Sequence, residues 1–245
     1  MRVYSLQFKV AFGKVEENLK IAEGFLNQVE EGSLVVLPEM WQCGFDYENM
    51  YEHAKATDQI IEKLVEYSGK RKLTIVGTYP VLKDGRLYNS AVIISEGKLL
   101  GQRSKIKLFP LYEENNHFSP GDENPVFYTP HGPIGILICF ELRFPELALD
   151  LRRKGAKILV VPSMWGLRRK EHLRVLTLAR ALDTQSFLIL ANAYGKIGEE
   201  EYAGCSAIVD PWGRLLAYSD WGDTLLSSFV DLKLVDEVRK GLPLS

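Results

Sequence analysis

The chain has 245 residues, 46% of them apolar, so it can bury a sizeable core, and its 30 lysines and arginines against 32 aspartates and glutamates leave a formal net charge of −2. That balance, with basic residues in short clusters, excludes a nucleic-acid surface, and no apolar run approaches the ~20 residues that span a bilayer. The three cysteines, at 43, 139 and 205, suit neither a fully paired disulfide framework nor a metal site. The first residues, Met1-Arg2-Val3-Tyr4-Ser5-Leu6, enter a strand at once with no signal-peptide pattern, so a cytoplasmic protein is expected.

Next in chain order, Val15, Leu19, Ala22, Leu26 and Val29 form one face of an amphipathic helix. Leu34-Val35-Val36-Leu37 is a short strand stopped by Pro38, and a second helix carrying Ile60, Ile61, Leu64 and Val65 leads to a strand from Leu73 to Tyr79. Hairpins then turn on Asp84-Gly85 and Glu96-Gly97. A second series starts at Ile134, with a helix from Pro145 to Arg153, a strand from Lys157 to Val161, a helix near Arg169 to Thr184 and a strand from Phe187 to Ala191. More hairpin strands are expected at Glu201 to Asp210, Gly213 to Tyr218 and Leu225 to Val230.

Each series reads β-α-β-α-β. Leu34 to Trp41 also lines up with Ile158 to Trp165, sharing Pro, Met and Trp at matched offsets, which suggests one plan used twice. Two equivalent halves with hairpins predict two mixed sheets face to face with helices outside each. Ligands of such sheets sit beyond the carboxyl ends of strands, where Glu39 and Cys139 both fall.

Cys139 ends the apolar run Ile134 to Ile138 just before a helix signal, where a thiol can be core packing or an aimed nucleophile with helix amides beside it. A catalytic thiol needs a base or a positive neighbour. Glu39, directly after a strand and proline, can be that base or a strand-end cap, and Lys105 or Lys107 can be catalytic or ordinary edge-strand lysines. His53, His117, His131 and His172 stand in charged or loop-like stretches; His117 or His172 would be the base of a cysteine-histidine hydrolase. Cys205 reads as a packing residue inside a strand, and Cys43 as one in a loop near the pocket.

Leu37-Pro38-Glu39-Met40, Lys105-Ile106-Lys107-Leu108-Phe109 and Cys139-Phe140-Glu141-Leu142-Arg143-Phe144-Pro145-Glu146, in that order, resemble the three signatures of the nitrilase superfamily of carbon-nitrogen hydrolases. Later segments agree, among them Pro162 to Trp165 and Gly204 to Gly213, so the resemblance covers nearly the whole chain as one domain, 1–245. It implies a four-layer α-β-β-α sandwich with an internal pseudo-twofold repeat, dimerising through helical faces. It also implies a Glu-Lys-Cys triad of Glu39, Lys105 and Cys139, with Glu114 as a second glutamate orienting Lys105 or assisting proton traffic. The family usually has histidine where this chain has Lys107; alignment on Leu108-Phe109 favours Lys105 as the catalytic lysine.

In that chemistry Glu39 takes the thiol proton, Cys139 attacks the amide carbon, and Lys105 with the backbone N–H of Phe140 stabilises the oxyanion. Phe140-Glu141-Leu142-Arg143-Phe144-Pro145 resembles the amidase branches, notably ω-amidases acting on dicarboxylate monoamides such as 2-oxoglutaramate. Another small amide, an N-carbamoyl compound or a nitrile is the alternative substrate, and an inactive binding protein the alternative of another class. A distal carboxylate calls for a guanidinium, with Arg143 and Arg168 as candidates. Met40, Trp41, Phe45, Tyr112, His117 and Trp165 are candidate pocket walls. The expected partner is a small amide; no metal, cofactor, nucleic acid or membrane is implied.

Overall fold

The computed structural model describes residues 1–244. In chain order the elements are β1 (Arg2–Gln7), α1 (Val15–Leu26), β2 (Leu34–Val36), α2 (Met50–Arg71), β3 (Thr74–Lys83), β4 (Arg86–Ser95) and β5 (Lys98–Ser104). After one helical turn, α3 (Glu114–His117), come β6 (Val126–Thr129), β7 (Gly132–Ile136), α4 (Pro145–Arg153), β8 (Ile158–Ser163), α5 (Lys170–Thr184) and β9 (Phe187–Asn192). The chain ends with β10 (Tyr194–Ile197), β11 (Glu200–Ala203), β12 (Ser206–Val209), β13 (Leu215–Ser219), β14 (Thr224–Phe229) and α6 (Lys233–Gly241).

Two six-stranded sheets carry the fold. The first has the order β14-β1-β2-β3-β4-β5 and the second, taken from its opposite edge, β6-β7-β8-β9-β12-β13. Successive pairs run antiparallel, parallel, parallel, antiparallel, antiparallel in both. The segments matched in sequence belong to β2 and β8, the third strand of each sheet, so the repeat is structural. It is completed in an unequal way: β6 immediately precedes its neighbour β7, whereas β14 returns from the far end of the chain to flank β1.

Strand alternation divides the core. Val3, Leu34, Val36, Val76, Ala91 and Ile93 face the second sheet, while Tyr4, Leu6, Val35 and Ile75 pack with Leu19, Ala22, Leu26, Ile60 and Leu64 of α1 and α2. The interface between sheets turns polar beyond Val3. Ser5 Oγ donates to the Leu190 carbonyl at 2.6 Å and Gln7 Oε1 accepts from Ser206 N–H at 3.0 Å, so buried side chains satisfy backbone groups of the opposite sheet. The predicted hairpins turn on Asp84-Gly85, with φ of 50° and 74°, and Glu96-Gly97, with φ of 48° and 80°; positive φ at both central residues matches the twist of the flanking strands.

Two local expectations are corrected. Val29 is buried, but α1 stops at Leu26, because the Arg71 guanidinium takes the carbonyls of Leu26 and Val29 at 2.9 and 2.7 Å and satisfies them outside a helix. The strand expected from Glu201 to Asp210 is broken. Gly204 and Cys205 both have positive φ, 64° and 61°, and pass the chain from the β10-β11 ribbon into the second sheet. Cys205 is therefore a buried corner residue between strands, and a Cβ on Gly204 would lie 2.4 Å from the Asp220 carbonyl oxygen.

Candidate active site

Pro38, two residues beyond β2, delivers Glu39 to the inter-sheet cleft, fully buried. Its Oε1 accepts hydrogen bonds from Lys105 Nζ and Asn89 Nδ2, both at 2.8 Å, and its Oε2 accepts the backbone N–H of Met164 at 3.0 Å. Lys105 leaves β5, where its own N–H donates to the Asn89 carbonyl at 2.8 Å. Glu114 opens α3 and grips the same ammonium with both oxygens, at 2.9 and 2.7 Å, while Oε2 also accepts Phe109 N–H at 2.6 Å.

Two carboxylates thus share one ammonium out of contact with water. Burial opposes the charge on Lys105, yet Glu114 and Glu39 outweigh it and hold the lysine above its ordinary range. For Glu114 burial dominates and Glu39 adds repulsion, so its carboxyl group is raised despite Lys105. Lys107 points elsewhere: its ammonium lies 5.1 Å from the centre of the Phe144 ring, and no carboxylate holds it among the described residues.

Cys139 follows β7 through Leu137 and Ile138 and adopts φ of 45°, a left-handed conformation that non-glycine residues seldom occupy. It begins a 3₁₀ turn, Cys139–Arg143, so α4 itself starts only at Pro145. Glu141 N–H donates to the Ile138 carbonyl at 3.0 Å, whereas the N–H of Phe140 finds no acceptor among the described residues. Burial raises the Cys139 thiol well above its ordinary range and Glu39 raises it further, against the opposing pull of Lys105 and the Ser163 hydroxyl.

The thiol opens on a narrow pocket walled by Phe109, Tyr112, Phe140 and Trp165. Two guanidiniums close it. Arg143 lies 4.7 Å from the Trp165 ring centre and its Nη2 is 3.1 Å from His172 Nδ1; Arg169 lies 5.1 Å from the Phe109 ring centre and donates to Tyr112 Oη at 3.3 Å. Burial and the like charge of Arg169 lower the Arg143 guanidinium from its ordinary range. Tyr112 and Arg169 crowd Gly166: a Cβ there would lie 2.4 Å from Tyr112 Oη and 2.9 Å from Arg169 Nη2, so a side chain would push these pocket groups aside.

Glu39, Lys105, Cys139 and Glu114 are therefore brought together, and Tyr112, Arg143 and Trp165 line the pocket. Four expected wall residues, Met40, Trp41, Phe45 and His117, do not. Met40 and Trp41 are fully buried away from it, Trp41 packing edge-on against Tyr79 at 5.7 Å, and His117 is exposed and stacks on Tyr47 at 4.0 Å. Phe45 packs behind Tyr112 at 6.1 Å, and Cys43 is buried outside the pocket. Of the basic cluster after Trp165, Arg169 and not Arg168 faces the cavity, because the 3₁₀ turn Leu167–Arg169 rotates Arg168 outward, and the Arg169 carbonyl accepts Trp165 Nε1–H at 2.8 Å. Asn89, which bridges the two glutamates, carried no motif signal; only its place in a strand beside the lysine's could have pointed to it.

A family model described as carbon-nitrogen hydrolase matches residues 3–240. The chain is 33% identical over 242 residues to the 2-oxoglutaramate amidase of Bacillus subtilis, covering 97% of this chain and 93% of that protein. It is 30% identical over 257 residues to the omega-amidase NIT2 of Xenopus tropicalis, covering 99% and 93%. Among solved structures, Nit3 of Saccharomyces cerevisiae, a member of branch 10 of the nitrilase superfamily, matches with a TM-score of 0.88 at 26% identity, over 100% of this chain and 95% of that one.

Proposed function

The chain belongs to the carbon-nitrogen hydrolase family, and from that premise we propose that it is an ω-amidase, hydrolysing the terminal amide of a small dicarboxylic acid monoamide such as 2-oxoglutaramate. The observation that carries the substrate class is the pair Arg143 and Arg169. Both face the Cys139 pocket and neither is ion-paired among the described residues, which leaves two planar donor forks for a distal carboxylate.

In the proposed reaction Glu39 accepts the Cys139 proton as the sulfur adds to the amide carbon. The oxyanion is held by Lys105 and the free N–H of Phe140. Protonated Glu39 then gives its proton to the amine, ammonia leaves and a thioester remains. Glu39 next takes a proton from water, the resulting hydroxide attacks the thioester, and the departing sulfur recovers the proton, so one carboxyl group alternates between base and acid. Glu114 keeps the Lys105 ammonium charged and aimed.

Ammonia release from succinamate and 2-oxoglutaramate, compared with glutamine, propionamide, an N-carbamoyl amino acid and a nitrile, tests the assignment. The two dicarboxylate monoamides are expected to lead in kcat/KM; equal turnover of propionamide would remove the arginines from substrate selection, and activity confined to the nitrile would overturn the amidase reading. The same proposal takes the protein as a cytoplasmic homodimer. Three free cysteines suit a reducing compartment, and exposed Val175, Leu182, Leu215 and Leu216 on α5 and β13 suit a buried helical face. Light scattering of the purified chain checks the dimer.

A further inference from the structure

Among the described residues, Glu141 is the one fully buried carboxylate near the pocket that the reaction does not use. It lies two residues after Cys139, and its side chain points back beneath the turn. Oε2 accepts the N–H of Ile138, immediately before Cys139, at 2.7 Å, while Oε1 accepts the N–H of Ile106, immediately after Lys105, at 2.6 Å, with Lys107 N–H at 3.4 Å. The carboxylate is oriented by Arg103, which ends the same strand as Lys105 begins to leave and donates from Nη1 to Oε2 and from Nη2 to Oε1 at 2.9 Å. Both side chains have no exposed surface.

We infer that Glu141 is a positioning residue, a clasp whose two oxygens fix the lysine segment and the cysteine segment at a set separation. This rests on the roles given above to Cys139 and Lys105. The two segments come from different sheets, β5 and β7, and are 34 residues apart in sequence between Lys105 and Cys139, so no local backbone pattern holds them together. The left-handed Cys139 needs such support: the Ile138 N–H that Glu141 accepts belongs to the residue leading into it. Oxyanion stabilisation by Lys105 depends on its reach to a substrate held by Cys139, and a shift of about 1 Å in such a pair can cost about 100-fold in rate.

The competing account gives Glu141 no task except neutralising Arg103. The variants Glu141→Gln, Arg103→Met and the double variant separate the two. Glutamine keeps the shape but sets an amide N–H₂ against a backbone N–H that formerly met an oxygen. The double variant removes both buried charges and so regains thermal stability relative to either single change. A clasp predicts that it stays at least about 30-fold below the unaltered protein in kcat, with KM within about threefold, and below Arg103→Met, which keeps the oxygens. A burst assay of the first turnover should place the loss in acylation.

Simple neutralisation predicts the reverse order, with the double variant recovering kcat along with stability and Arg103→Met the poorer enzyme. That result overturns the inference. Should the double variant not fold, kcat of the single variants per folded molecule decides, since a clasp makes Glu141→Gln the slower and neutralisation makes them equal. Cys139→Ala assayed alongside keeps the two levels apart: turnover without the thiol would sink the reaction scheme, whereas recovery in the double variant with Cys139→Ala inactive sinks the clasp alone.

Discussion

Pro38-Glu39-Met40-Trp41 follows β2, and Pro162-Ser163-Met164-Trp165 completes β8 and leaves it; the two strands hold the same place in their sheets. The copies touch. Glu39 N–H donates to the Ser163 carbonyl at 3.3 Å, and Met164 N–H donates to Glu39 Oε2 at 3.0 Å. Beyond that shared contact they diverge. Glu39 has a carboxylate on Lys105 where the second copy has a serine hydroxyl beside Cys139, and Trp41 is sealed against Tyr79 where Trp165 stands in the pocket under Arg143. The backbone plan supplies a strand end at the inter-sheet cleft twice, and single side chains decide which copy carries the buried carboxylate and which lines the pocket.

Exchanging the matched positions breaks the comparison where it is sharpest. Glu39→Gln should lower kcat by about 10³-fold or more, the scale of a lost general acid and base, while Ser163→Ala stays within about tenfold; steady-state kinetics on succinamate reads both. For the tryptophans the contrast is between function and stability. Trp41→Ala should cost about 3–5 kcal/mol in urea unfolding and leave KM of the folded fraction unchanged, whereas Trp165→Ala should raise KM. A smaller effect separates the arginines from the acid. Arg169→Met or Arg143→Met should lower kcat/KM for succinamate about 10–100-fold, as expected for a charged hydrogen-bonding partner worth about 1.5–3 kcal/mol, and change propionamide turnover little.

The smallest expected signal is an absence of change with pH. Because burial and Glu39 raise the Cys139 thiol, it should remain protonated at pH 9, where an unperturbed cysteine of pKa ~8.5 is mostly ionised. The 240-nm thiolate absorbance of the native protein minus that of Cys139→Ala should therefore stay flat through that range. The unfolded chain loses this proton near pH 8.5 and the folded chain does not, so the Cys139 contribution to stability falls as pH rises above that value.

The strand ends that carry Glu39 and Cys139 were legible because each follows a local apolar run, whereas Lys105 follows the polar strand β5 and was singled out only by the resemblance of Lys105-Ile106-Lys107-Leu108-Phe109 to a family signature. The repeat was legible from the same kind of local run. The identity of the second arginine was not: whether Arg168 or Arg169 enters the pocket depends on one 3₁₀ turn whose phase periodicity does not fix. Trp41 and Trp165 are equivalent in sequence and differ only through Tyr79 and Arg143, which approach from distant elements. Glu141 was quoted as part of a motif without a task, because its task lies in the backbone N–H groups of Ile106 and Ile138, and a sequence carries no mark of which amide lacks a partner.

The central claim, that Cys139 forms a thioester in a Glu-Lys-Cys site, is tested most directly by mass spectrometry of the protein quenched in acid during turnover of succinamate. The expected result is a succinyl adduct on the peptide that carries Cys139, absent from Cys139→Ala. An adduct on Cys43 or Cys205, or full ammonia release by Cys139→Ala, would contradict it.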